Sequence, residues 1–213
     1  RQPTCYSLRG LLESFASHFS GGAARTIEVR EDLWKALRLE YEKAADDALR
    51  RGDFRRAAWI RGKLLDDLAT AAAILLQGGL ARDAAWIYLK RLGDKRSAAR
   101  AFEAARELDQ AVQLYREIGS FEQSGDLLRR MGDEAAAVAD YRRAAGHLKS
   151  TAGGLLAAAD FLIRKRVDPS LALELYREGW NRRPDLNWAS CGQRLIELLA
   201  REARPEPLLE LVE

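Results

Sequence analysis

A short phrase that recurs every 13 or 14 residues between Arg51 and Gly146 constrains this chain more than any other feature. In each copy, a small residue is followed four positions later by a large apolar one. The copies are Ala71/Leu75, Ala84/Tyr88, Ala98/Phe102, Ala111/Tyr115, Ser124/Leu128 and Ala137/Tyr141, with Ala57 in the same place ahead of them. Residues four positions apart share one face of an α-helix. The sequence therefore predicts a repeat protein built from short helices.

Dipeptides of Gly followed by Asp or Ser separate several copies of the phrase. They are Gly52-Asp53, Gly93-Asp94, Gly119-Ser120 and Gly132-Asp133. Glycine accepts the left-handed conformation that ends a helix, and a following Asp or Ser can cap the next one. A helix of about ten residues is too short to be stable alone in water. The predicted helices must therefore be stabilised by stacking on their neighbours.

Identical Ala-Ala-Trp-Ile stretches at 57–60 and 84–87 lie 27 residues apart and show that the repeating unit is a pair of helices. One helix of each pair carries large aromatic side chains, whereas the other is built from Ala, Ile and Leu. We expect an all-α fold of antiparallel short helix pairs, with about 11–13 helices in all. Because the positions of Trp59 and Trp86 repeat with the scaffold, we interpret both as core residues.

The phrase and its Gly-Asp turns resemble the helical hairpins of the tetratricopeptide-like superfamily, in the short-helix variety of clathrin-heavy-chain-type repeats. The resemblance covers about residues 31–180 and implies a right-handed α-solenoid that binds proteins. The pair repeats every 26 to 27 residues instead of 34, and the Trp-x2-Leu-Gly-x2-Tyr opening is missing. A peptide-carboxylate clamp is therefore not carried over. More distantly, the chain resembles bacterial helical proteins that accompany MoxR-type ATPases and von Willebrand A domains.

Apolar residues at helical spacing also predict helices outside the repeat. One covers Leu8 to Phe19, and a long one runs from about Glu31 to Arg51. Between them, Thr26–Val29 has the alternation of an extended connector. Beyond Gly146 the spacing lengthens, so the helix that holds Leu155 to Arg166 is expected to be the longest of the stack.

These helices divide the chain into three regions of one domain. Residues 1–30 form an N-terminal helix and connector, residues 31–183 the repeat solenoid, and residues 184–213 the C-terminal helices that continue or cap it. The chain begins at Arg1 and ends without a polar cap. We expect it to be a fragment of a larger bacterial protein.

Catalytic and metal-binding motifs are nearly absent from the sequence. Its two histidines, His18 and His147, each stand alone, and no phosphate-binding glycine loop occurs. The two cysteines, Cys5 and Cys191, are expected to be free thiols. We expect no enzymatic activity, cofactor, metal or small-molecule substrate. The apolar runs are too short for a membrane helix and no signal peptide precedes them, so we expect a cytoplasmic protein.

Candidate binding residues lie mostly in the irregular end of the repeat. Residues 142–183 hold nine basic and four acidic side chains, a net charge of +5, against +3 for the whole chain. Tryptophans outside the regular phrase are further candidates for contact with another domain. The candidate residues are Arg142, Arg143, Arg164, Lys165, Arg166, Trp180, Trp188 and Trp34. For the basic residues, a solvated helix end is the alternative interpretation.

Two hypotheses for function follow from these surfaces. The first is a non-enzymatic scaffold for protein–protein interaction that binds a protein partner, or a neighbouring domain of the same chain, on its concave face. The alternative is a helical repeat that binds RNA or DNA through the basic segment 142–183. A protein that recognises one base per helical repeat needs polar residues at the same position of each repeat. The positions here read Trp59, Ala73, Trp86, Arg100, Gln113, Asp126 and Ala139. The first hypothesis, without nucleic acid as a partner, is therefore favoured.

Overall fold

The computed structural model describes residues 23–150, 154–182 and 187–201, and in these residues the chain is all-helical, with eleven α-helices. The chain divides into two compact units, Arg1–Leu80 and Ala81–Glu213. Within each unit, every described helix packs on the next helix in sequence. The described helices include none that is both long and apolar enough to cross a membrane.

The described part of the first unit contains three α-helices. They are α1 (Ala23–Arg50), α2 (Phe54–Trp59) and α3 (Leu68–Gln77). Helix α2 continues directly into a π-helical turn, Ile60–Leu64, in which the backbone bonds reach one residue further than in an α-helix. Helix α1 begins at Ala23, so the expected extended connector at Thr26–Val29 is wrong, since these residues are helical. The expected helix from Leu8 to Phe19 lies outside the described residues.

The second unit contains the other eight described helices. They are α4 (Ala81–Ile87), α5 (Lys95–Ala104), α6 (Leu108–Glu117), α7 (Phe121–Met131), α8 (Glu134–Lys149), α9 (Gly154–Lys165), α10 (Pro169–Asn181) and α11 (Trp188–Arg201). Helix α4, which shares the Ala-Ala-Trp-Ile stretch with α2, also ends in a π-helical turn, Tyr88–Leu92. The two copies of the stretch therefore share this helix ending as well as their sequence.

The predicted Gly-Asp turns are confirmed. Gly93 has a φ of 67°, and the Asp94 carboxylate caps α5 by accepting a hydrogen bond of 3.0 Å from the Ser97 amide. Asp53 and Asp133 cap α2 and α8 in the same way. At the fourth turn, Gly119 is left-handed, but the Ser120 side chain makes no capping bond. Local sequence therefore determines where most of these helices begin and end.

The small residues of the repeated phrase all lie between helices. Each of the seven is at most 1% exposed, namely Ala57, Ala71, Ala84, Ala98, Ala111, Ser124 and Ala137. The phrase therefore identifies the buried face correctly across both units. In α9, beyond Gly146, Ala157 precedes Phe161 by four positions but is exposed, and the neighbouring Ala158 is buried instead.

The longest helix after α1 is not the one expected. Helix α8 has 16 residues and α9 has 12, so the stretch in spacing beyond Gly146 comes mostly from α8. Gly146 lies inside α8 and does not end it. A glycine within a helix costs only about 1 kcal/mol relative to alanine. His147 follows it in place of the Asp or Ser that would cap a new helix.

Three carboxylates in the second unit each link three successive helices. Each accepts a hydrogen bond from a tyrosine hydroxyl on the next helix and pairs with a cation on the helix after that. The sets are Tyr115, Glu103 and Arg130; Tyr141, Asp126 and Lys165; and Tyr176, Asp160 and Arg194. We call these the tyrosine–carboxylate–cation triads. They tie alternate helices together in addition to the packing of neighbours.

The middle triad shows how burial and charge combine. The Tyr141 hydroxyl donates to Asp126 at 2.7 Å, and the Lys165 ammonium lies 2.6 Å from the same oxygen. Burial of the phenol, together with its bond to Asp126, raises the pKa of Tyr141 well above its usual range. Burial opposes charging of Lys165, but its bonds to Asp126 and Glu122 raise its pKa nonetheless. The phenol therefore stays neutral beside a charged pair.

Candidate partner-binding surface

Two of the predicted binding residues, Arg142 and Arg143, lie on α8 and form ion pairs within the protein. The Arg142 guanidinium is 2.6 Å from the carboxylate of Asp168, the capping residue of α10. Arg143 donates to the buried carboxylate of Asp140 at 3.3 Å and lies over the ring of Phe121. Both side chains are more than half exposed, but their charges are already compensated.

The Arg164–Lys165–Arg166 cluster at the end of α9 is neutralised to a similar extent. Lys165 is only 15% exposed and pairs with Glu122 and Asp126 of α7. Arg164 is 68% exposed and lies 3.9 Å from Glu122. Arg166 is exposed with a φ of 55° and makes no ion pair with any described residue. The positive charge counted in the sequence is therefore largely paired in the fold.

Trp180 and Trp188, predicted as partner contacts, pack on each other. Their ring centroids are 5.0 Å apart where α10 meets α11. A Cβ atom added at Gly192 would lie 2.1 Å from a ring atom of Trp180, so this close approach requires glycine. The two rings therefore join the last two described helices. Whether they also contact a partner stays a prediction.

Trp34 is the most exposed large hydrophobic residue in the described part of the chain, at 69%. It lines a shallow pocket of about 280 Å³ in the first unit, formed by α1 and the end of the π-helical turn after α2. The pocket is also lined by Leu37, Tyr41, Leu64 and Leu65. Trp34 is therefore exposed, and its role in contacting another domain stays a prediction.

A larger groove, which sequence reasoning missed, lies in the second unit between α4 and α6, with α5 beneath it. Its volume is about 440 Å³. The apolar lining comes from Trp86 and Leu89 of α4 and its π-helical turn, Phe102 of α5, and Leu114 of α6. Trp86 is 40% exposed and meets the edge of the buried Phe102 ring at 5.6 Å between centroids. We call this the Trp86 groove.

The polar side chains of the Trp86 groove leave one charge uncompensated. Lys90 lies 5.7 Å from the centroid of the Trp86 ring and forms no ion pair with any described residue. On the opposite wall, Glu117 pairs with Lys95 at 2.9 Å, and this contact holds the pKa of Glu117 below its usual range. Gln110 and Gln113 add amide groups there. Four of the eight lining residues are therefore apolar, and the one cation among the polar four, Lys90, forms no ion pair with a described residue.

The junction between α6 and α8 corresponds to the α4–α6 junction one repeat further along the chain, but different side chains line it. Residues 84–90, 111–117 and 137–143 align without gaps as Ala-Ala-Trp-Ile-Tyr-Leu-Lys, Ala-Val-Gln-Leu-Tyr-Arg-Glu and Ala-Val-Ala-Asp-Tyr-Arg-Arg. Arg116 thus takes the place of Leu89, and Asp140 takes the place of Leu114. Where the first junction has two leucines, the second has an arginine and an aspartate.

Asp140 is the only fully buried acid in the described residues, and three groups satisfy it. Arg116 Nε and Ser124 Oγ each donate to Oδ2 at 2.7 Å, and Arg143 donates to Oδ1. Ser124 is the one copy of the phrase with a hydroxyl in place of alanine, and its hydroxyl meets this carboxylate. A buried charge is tolerated only when it is paired and hydrogen-bonded. The α6–α8 junction is therefore closed by an internal ion pair.

The exposure of Trp59 and Trp86, at 57% and 40%, shows that their interpretation as core residues is wrong. Each stands two positions after a buried alanine, which is about 200° around the helix. The helical angle thus places them away from the buried face, and this signal was available in the sequence. The Arg116–Asp140 pair also left a signal, because an aspartate stands where the other copies carry Ile, Leu or Ala.

No model of a known protein family matches the chain, and no curated protein or solved structure is significantly similar to it. Across the described ranges, no three His, Cys, Asp or Glu side chains form a group that could hold a metal ion. Cys191 is buried in α11 and is not part of a disulfide, as predicted, while Cys5 lies outside the described residues.

Proposed function

We propose that this chain is a non-enzymatic protein-interaction module, and that its binding surface is the Trp86 groove. The observation that carries the proposal is the exposure of Trp86, which is 40% exposed and packs on the buried Phe102 ring at the α4–α6 junction. At the next junction, between α6 and α8, the corresponding positions form an internal ion pair. Tryptophan is enriched among the residues that dominate binding energy at protein interfaces. The partner is a protein or a neighbouring domain of the same chain.

We further propose that the helices form a right-handed, tetratricopeptide-like α-solenoid. Two properties of the second unit support it. Neighbouring helices pack in sequence, and ion pairs such as Glu103–Arg130 link alternate helices. Such nearest-neighbour stacking is typical of repeat proteins, which commonly bind partners along an extended surface. The unequal faces of the paired helices are consistent with this architecture.

The alternative, an RNA- or DNA-binding repeat, receives less support from the basic segment. Affinity for a phosphate backbone comes from cations that release counterions on binding. Arg142, Arg143 and Lys165 already pair with acidic side chains of the protein. A phosphate backbone would have to compete with these carboxylates. A protein partner that binds the Trp86 groove does not have to displace these carboxylates.

Two binding assays on the purified chain distinguish the hypotheses. We expect selection from a phage-displayed library of random dodecapeptides to enrich specific sequences, and we expect labelled oligouridine RNA to bind weakly. Tight RNA binding that weakens steeply with salt and is lost in the Arg164→Ala/Lys165→Ala/Arg166→Ala variant would establish the nucleic-acid hypothesis instead. Failure to enrich any peptide would count against the proposed function.

A further inference from the structure

We infer that the Trp86 groove binds a peptide segment that carries a carboxylate close to a bulky apolar side chain. This inference rests on the proposed function and specifies its partner. The apolar part of the partner would cover Trp86 and the partly exposed Leu89, and the carboxylate would pair with Lys90. Each requirement follows from a different feature of the groove.

The need for an apolar side chain follows from the two leucines at the junction. Leu89 and Leu114 line the groove at the positions where α6 and α8 carry Arg116 and Asp140. The ion pair bridges its junction from within the protein. At the α4–α6 junction Leu114 is buried, and the partly exposed Leu89 leaves apolar surface open beside Trp86. Burying apolar surface contributes about 25 cal/mol per Å². A bulky apolar side chain in the groove would gain this stabilisation.

The need for a carboxylate follows from the charges around the groove. Glu117 is neutralised by Lys95, so it does not offer a partner a free negative charge. Lys90 keeps its charge without an ion pair in the described chain, and the adjacent Arg91 is likewise exposed and unpaired there. An acidic group complements this rim, and a basic one is repelled by it. The groove therefore favours a partner that is negatively charged as well as apolar.

The size of the groove points to a short segment as the occupant. A volume of about 440 Å³ accommodates a few side chains and lies in the range of peptide and small-ligand sites. Gln110 and Gln113 line the groove and can hydrogen-bond to a peptide backbone. The occupant is thus an acidic and apolar peptide segment of a separate protein partner.

The test uses dodecapeptides selected on the full chain and then synthesised for titration calorimetry. We expect the enriched sequences to place Asp or Glu within one helical turn of Leu, Ile, Phe or Trp. Trp86→Ala should weaken binding about tenfold or more, as expected for a central aromatic residue. Lys90→Glu should weaken it several-fold and should shift a new selection towards basic peptides. Circular dichroism verifies that each variant is folded.

Trp59→Ala is the matched control, because Trp59 has the same local sequence and similar exposure but does not line the groove. We expect it to leave the affinity within about twofold of the original protein. Enriched peptides that bind Trp86→Ala and Lys90→Glu unchanged, or that lack acidic residues, would refute this inference while the proposed function stands. A selection that enriches nothing would refute both.

Discussion

The α4–α6 and α6–α8 junctions are built from the same seven-residue phrase, yet one is an open apolar groove and the other is closed by an ion pair. Leu89 and Leu114 line the first junction. Arg116 and Asp140 occupy the corresponding positions at the second and lie 2.7 Å apart. The order of the helices is shared, but Leu89 lies in a π-helical turn and Arg116 in a regular α-helix, so the difference comes from the side chains and the local helix geometry together. A repeat can therefore keep its architecture while individual junctions are specialised for binding or for internal stability.

The largest effect is expected from placing a charge at the open junction without a partner. Leu114 is 6% exposed, so Leu114→Asp buries a carboxylate, and Leu89 stands where Arg116 pairs with Asp140 at the next junction. We expect the free energy of unfolding to fall by about 3–5 kcal/mol. Urea denaturation followed by circular dichroism measures this loss. The control is Gln113→Asp at the exposed neighbouring position, which should change stability by less than about 0.5 kcal/mol.

At the α6–α8 junction, the loss of stability should depend on which residue of the Arg116–Asp140 pair is replaced. Arg116→Leu leaves the fully buried Asp140 with only Ser124 and Arg143, and we expect a loss of about 3 kcal/mol. Asp140→Leu should cost clearly less, because the Arg116 side chain is 38% exposed and can reach water. The double variant Arg116→Leu/Asp140→Leu recreates the leucine pair and should recover most of the stability. Equal losses for the two single variants in urea denaturation would contradict this account of the pair.

A smaller effect, which depends on pH, is expected at the triads. Tyr141 has a raised pKa in the folded protein, so the folded state holds the phenol proton more tightly than the unfolded chain does. Its contribution is therefore fully present below about pH 10 and is lost as the pH rises above that value. Tyr141→Phe removes the hydrogen bond to Asp126 and should cost about 1 kcal/mol at neutral pH. Thermal denaturation from pH 8 to pH 11.5 should show a shallower alkaline decline for the variant.

The smallest effects are expected at the two exposed tryptophans. Trp86→Ala loses the edge-to-face contact with Phe102, and we expect a destabilisation of about 1 kcal/mol. Trp59→Ala should cost less, since Trp59 is 57% exposed. Thermal denaturation of both variants tests this. A large loss from either change would show that the side chain supports the core and is not available to a partner.

The parts of the fold that local chemistry determines could be predicted from the sequence. Glycine and aspartate at each turn act within a few residues, so Gly93 and Asp94 identified a helix boundary correctly. The alanines of the phrase lie on one helical face, so their burial followed from spacing alone. The short lengths of α3, α5, α6 and α7, at 10 or 11 residues, followed from the distance between turns.

Features that depend on packing could not be predicted in this way. The alternation of Thr26–Val29 suggested an extended segment, but β-branched residues oppose a helix by less than about 1 kcal/mol each, and α1 includes them. The acids of the triads occupy no fixed place in the phrase, so Glu103 and Asp126 gave no periodic signal. The basic cluster near Lys165 gained its ion pairs only when α7 and α9 came together. The exposure of Trp86 follows from its angle around the helix, but the groove beside it forms only where α4, α5 and α6 pack together.

The most direct test of the comparison is a double-mutant cycle that transfers the ion pair to the open junction. Leu89→Arg, Leu114→Asp and the double variant are compared with the original chain by urea denaturation. If the two junctions have equivalent geometry, the new arginine should pair with the new aspartate, and the double variant should be about 2 kcal/mol more stable than the sum of the single changes predicts. Strictly additive losses would show that the positions do not correspond in space, and would contradict the account of the Trp86 groove as the open counterpart of the closed junction.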